Sequence, residues 1–138
     1  MIDFLASLHQ YSDLGLFVLR LALGAIFWIH GASKLKMWKM VPSEQMPAKM
    51  INTMRILSIC ESLGAVAVFT GFLVQPAALG LAIIMIGAIK FKLKAWKIPF
   101  TTQTNTGWEF DLLILAASIT LIVFGAGTWS LDRMLFGL

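Results

Sequence analysis

Residues Leu14–Ser33 read LGLFVLRLALGAIFWIHGAS, a run in which Arg20 is the one formal charge and His30 the one other titratable side chain. Twenty helical residues at 1.5 Å each extend about 30 Å, the hydrocarbon thickness of a bilayer. Three more apolar runs follow. Ile56–Val74 reads ILSICESLGAVAVFTGFLV, Pro76–Phe91 opens with a proline suited to a first helical turn, and Trp108–Ala126 reads WEFDLLILAASITLIVFGA. The pattern predicts an all-α integral membrane protein: one domain, 1–138, built as a bundle of four transmembrane helices at about 14–33, 56–74, 76–91 and 108–126.

Composition agrees. Hydrophobic residues make up 59% of the chain and charged ones 13%, and mean hydropathy is +0.84. Soluble domains carry about 25% charged residues. The net charge of +4 points to topology and to no nucleic acid, because of where the charges lie. Nine of the eleven basic residues fall in two connections: Lys34, Lys36, Lys39, Lys49 and Arg55 after the first run, and Lys90, Lys92, Lys94 and Lys97 after the third. With four spans, both connections face one side. Positive charge marks that side as the cytoplasm and places both termini outside. Asp3 and the lack of any Lys or Arg before Arg20 leave no positive n-region, so the first run is expected to stay in the mature protein.

The connections differ in character. Little more than Gln75 separates the second and third runs, which predicts a tight antiparallel hairpin. The third run, about 16 residues, spans only if Lys90, Lys92 and Lys94 extend their apolar stems through the interface. Met37–Met54 mixes Met, Trp38, lysines and prolines and reads either as a segment lying on the membrane surface or as a loop. Residues 97–107 form a polar loop, with Asn105 or Thr106 as candidate cap of the fourth helix.

A charge inside a span costs roughly 2.5 to 3.5 kcal/mol and needs a partner, water or an exit. At 100° per residue Arg20, Gly24, Phe27, Gly31 and Lys34 share one stripe of the first helix, and the two glycines invite a close neighbour. His30 lies at the edge of that stripe. Glu61 adjoins a row of small residues, Cys60, Gly64, Ala67 and Gly71, and is expected inside the bundle with Arg20 as its counter-charge, although Arg20 is six residues in from the outer end and Glu61 five in from the inner end, a difference of depth that calls for a bridge. Glu109 and Asp111 are about 200° apart and cannot face one site together. Both stand where a helix N-terminus favours a carboxylate. Cys60 has no partner for a disulfide or a CxxC motif, and no Cys/His cluster has metal spacing.

These elements, in order, resemble the DoxX/DoxD-like family of small four-helix membrane proteins. They are the helix-one arginine followed by G-x-x-F-x-x-H-G-x-x-K-L (Gly24–Leu35), Glu61 with Gly64, Gly107-Trp108-Glu109, and the ending Gly125 to Asp132. The resemblance implies a bacterial or archaeal cytoplasmic membrane protein, in some members a subunit of a quinone-reducing oxidoreductase and in others a partner of redox-defence proteins. It carries over Arg20, His30, Lys34, Glu61 and Glu109 as the polar site. Many members have a histidine near the end of helix three, where this chain offers Lys90 and Lys94. The function expected is therefore a quinone-linked redox subunit with a polar site inside the bundle. It has no covalent cofactor, and it takes its electrons from another protein subunit, with further copies of the chain as the alternative partner. A membrane scaffold, or a small carrier of an acid or anion, are the competing functions.

Overall fold

The computed structural model describes residues 7–103 and 106–137. All regular structure among the described residues is helical. Four long helices, α1 (Ser12–Lys34), α2 (Ala48–Thr70), α3 (Val74–Phe91) and α4 (Trp108–Phe124), precede a short α5 (Leu131–Phe136). A 3-10 turn, Leu8–Tyr11, leads into α1, a second, Leu35–Lys39, leaves it, and a π turn, Lys92–Trp96, prolongs α3.

Among the described residues, three continuous helical stretches are long and apolar enough to cross a membrane: Leu8–Lys39, Ala48–Thr70 and Val74–Trp96, of 32, 23 and 23 residues. The fourth helix has 17 residues and reaches about 25 Å. The outer surface suits lipid, with Ile29 and Leu63 67% exposed, Leu113 68% and Val123 67%. A monomer in water rarely leaves so much contiguous apolar surface open.

Helix boundaries depart from expectation at both ends of the second helix and both ends of the third. The second helix starts at Ala48 rather than near Ile56, directly after Pro47, so the latter part of Met37–Met54 is neither surface segment nor loop but the first two turns of α2. The same helix stops at Thr70, because Gly71 takes a left-handed conformation (φ 76) that ends it. The third helix starts at Val74 and the π turn carries the helical stretch on to Trp96, so Lys90, Lys92 and Lys94 lie on its last turns rather than in a connection. Helix α4 starts at Trp108 as expected, but its cap residue is Gly107, with no side-chain cap. Asn105 lies outside the described residues.

The four helices run antiparallel, α1 packed closely on α2 and α3 on α4. The α1 face is the one the stripe predicted: Arg20, Leu23, Gly24, Phe27 and Gly31 are buried. A Cβ at Gly31 would stand 3.0 Å from the Ser62 nitrogen, and one at Gly24 would stand 3.0 Å from the Ala65 oxygen. The glycines are therefore what lets α2 approach. On α2 the buried face runs through Ser58, Glu61, Ala65 and Val68, whereas Cys60 is exposed. The expected row is rotated because Glu61 has to point inward.

The tail locks one end of the bundle. After Gly125 and Gly127, both with positive φ, Ser130 caps α5 by accepting from the Arg133 N–H. The Asp132 carboxylate then accepts from the Leu73 N–H at 2.6 Å and the Val74 N–H at 2.9 Å, while its own N–H donates to the Gly71 carbonyl at 2.8 Å. Leu73 holds a left-handed conformation (φ 50) that an L-residue rarely adopts. The three bonds to Asp132 hold it there.

Candidate functional site

The opposite end, where α1 and α3 finish and α2 and α4 begin, carries the basic connections and the cavity. Lys34, the last residue of α1, forms an ion pair with Glu61 and donates to both carboxylate oxygens. Glu61 is buried and Lys34 half-buried. This pair ties α1 to α2.

A second pair ties α3 to α4. Lys92 Nζ lies 2.7 Å from Asp111 Oδ2 and also donates to the carbonyls of Gly107 (3.2 Å) and Thr106 (3.3 Å). One cation thus neutralises the acid and satisfies backbone oxygens just before α4. The two pairs stand on opposite walls of a cavity of about 870 Å³, within the range of small-ligand pockets. Phe27, Met85 and Ile114 line its deeper part, and His30 its edge, with the imidazole stacked on Phe110 at 6.0 Å.

The residues expected to share one polar core divide between three places. His30, Lys34 and Glu61 line the cavity. Glu109 does not; its Oε2 is buried without a hydrogen-bond partner among the described residues, and its N–H donates to the Phe100 carbonyl at 3.2 Å. Arg20 lies at the far end, buried against Gly71, where it donates from Nη2 to the Trp129 carbonyl. The expected contact of Arg20 with Glu61 is therefore absent. Glu61 precedes Gly71 by ten residues, about 15 Å along the helix, and its counter-charge is Lys34.

Two cavity residues, Lys92 and Asp111, were not among the expected site residues, although helical phase held the signal. Leu81 and Met85 are buried and Ala88 half-buried, and that stripe continues to Lys92, while Lys90 and Lys94 are exposed. On α4, Asp111 shares its face with buried Ile114, Ser118 and Leu121. That phase puts Asp111 rather than Glu109 on the inner face.

Such a fold and site define a multi-pass helical membrane protein with a charged pocket between its helices. The chain belongs to the DoxX family, whose model matches residues 15–96. Over 134 residues it is 33% identical to a Bacillus subtilis (strain 168) protein named "Putative oxidoreductase CatD", covering 94% of this chain and 92% of that one. No solved structure matches it.

Proposed function

We propose that this protein is a membrane subunit of a quinone-linked redox complex, crossing the cytoplasmic membrane of a bacterium or archaeon four times with both termini outside, and binding the quinone head in the cavity of the basic end. The observation that carries this is the pairing of Lys34 with Glu61 and of Lys92 with Asp111 on facing walls above an apolar floor. The oxidoreductase name of the relative adds support.

A quinone supplies two carbonyl acceptors that take up protons when it is reduced. In this reading Lys34 and His30 donate to one carbonyl, and Lys92 to the other. Glu61 and Asp111 hold those cations in place and can pass protons to the head. The floor of Phe27, Met85 and Ile114 excludes water beneath the ring. Electrons come from a partner subunit.

The test is what leaves the membrane with the protein. Purified in mild detergent, it should carry a quinone extractable into organic solvent and detectable by its absorbance. The double variant Lys34→Met, Glu61→Leu, in which no buried charge is left unpaired, should fold and lose that quinone. A wild-type preparation free of quinone and of any redox partner would instead favour a scaffold.

A further inference from the structure

The polar groups of the cavity are not spread evenly around it. Lys34 with Glu61 and Lys92 with Asp111 occupy the α1–α2 and α3–α4 walls, and Lys49 and Thr53 line the cavity from the first turns of α2; beyond them the α2–α3 flank is bordered by Met54 and Leu57 on one side and Ile83 and Gly87 on the other. Helices α2 and α3 pack together nearer their connecting turn, where Gly64 sits against Leu81. Towards the basic end both helices border the cavity instead. Ile83 and Gly87 on its rim are exposed. In a bilayer that flank faces acyl chains, so the opening is lateral.

Gly87 marks the gap. A Cβ added there would meet no atom within 4 Å, so no packing contact within the chain requires this glycine, unlike Gly24, Gly31 and Gly64. A side chain at 87 would project into the rim of the cavity. Gly80 has the same open surroundings on the same helix, two turns away, but does not line the cavity.

We infer that the cavity is loaded sideways from the bilayer through the gap between α2 and α3, and that its occupant is a quinone whose long apolar tail leaves past Gly87 while the head lies between the two ion pairs. This rests on the quinone assignment above. A tailed ligand held this way never crosses the polar basic end. Its hydrocarbon stays among lipid, and only the head is desolvated.

The experiment compares two probes on the purified full chain in lipid nanodiscs: 2-methyl-1,4-naphthoquinone, which has no tail, and the same ring bearing four isoprene units. Quenching of tryptophan fluorescence reports binding, since Trp96 lines the cavity. Wild type and Gly80→Leu should bind both. Gly87→Leu should bind the tail-less ring as wild type does and the tailed one at least about tenfold more weakly. Leucine in place of glycine favours the helix, and Ile83→Phe, which narrows the same gap from one turn away without adding a tryptophan, repeats the test should Gly87→Leu not insert. Unchanged affinity of Gly87→Leu for the tailed probe overturns the lateral route while leaving the quinone assignment standing. Equal loss of both probes overturns it too, because the head would then sit at Gly87. Wild type binding neither probe overturns the quinone assignment and the route with it.

Discussion

Arg20 and Lys34 share a stripe of α1 but stand 14 residues apart, about 21 Å along the axis, and they meet different parts of the chain. The Arg20 guanidinium rests on Gly71 and donates to Trp129, with the charge of Asp132 acting on it. Its role is to hold the tail against the α2–α3 turn. Arg20→Ala should therefore lower stability by about 3 kcal/mol, the scale for removing one buried charge from its group, seen as earlier thermal unfolding in detergent. Quinone binding by the protein that folds should stay at the wild-type level. Full stability with binding lost would move Arg20 into the site. For Asp132→Ala the expected cost is about 2 kcal/mol, because two backbone donors lose a charged acceptor and Leu73 loses what holds its left-handed backbone. That Arg20 is buried was legible from its type and position in an apolar run, whereas the burial of Asp132, outside every run, was not. Nor were their partners, because a pattern of residue types gives helical phase but not which helix reaches which depth.

The glycines of α1 and α3 do opposite things at the level of the helix. A Cβ at Gly31 would press on the Ser62 nitrogen at 3.0 Å and the Ser58 oxygen at 3.2 Å, both backbone atoms that cannot swing aside. Gly31→Ala should thus push α1 off α2 and cost about 1 to 3 kcal/mol, as overpacking does. Gly87→Ala should cost nothing and is expected to stabilise by about 0.5 to 1 kcal/mol through helix propensity alone. Thermal melts of the two variants, side by side, check both signs. The close α1–α2 approach was readable from the stripe of glycines. Missing from the sequence reading was the start of α2, since Lys49 and Arg55 look like loop charges. In the fold Arg55 faces back to the preceding connection, donating to the carbonyls of Met37 at 3.1 Å and Met40 at 3.0 Å, so a helical residue serves as the loop's anchor. The reach of α3 was likewise hidden, because Lys92–Trp96 continues it as a π turn through a lysine-rich stretch that composition alone marks as a connection.

For the whole molecule the topology turns on α4, which with 17 residues is the shortest of the four long helices. Its attachments bear on this directly. At its start, Lys92 from the end of α3 binds the carbonyls of Thr106 and Gly107 and the carboxylate of Asp111. At its finish, the Gln75 side chain from the start of α3 donates to the Ile122 carbonyl at 2.8 Å, and the tail beyond it returns Asp132 to Leu73 and Val74. Both ends of α4 are therefore tied to the two ends of α3, a stretch that is long and apolar enough to span. On the proposed topology, a helix fixed at both ends to a spanning neighbour would cover the same depth, the polar residues at its start and the glycines after it making up the missing length at the interfaces. Four crossings, on that topology, would return the chain to its starting side, and the nine basic residues of the two connections would set that side as external. A reporter fused after Leu138 should then read as external and one inserted at Gln45 as cytoplasmic. If both read as cytoplasmic, α4 does not cross, and the Lys92–Asp111 pair lies at the membrane surface instead of lining a pocket within it.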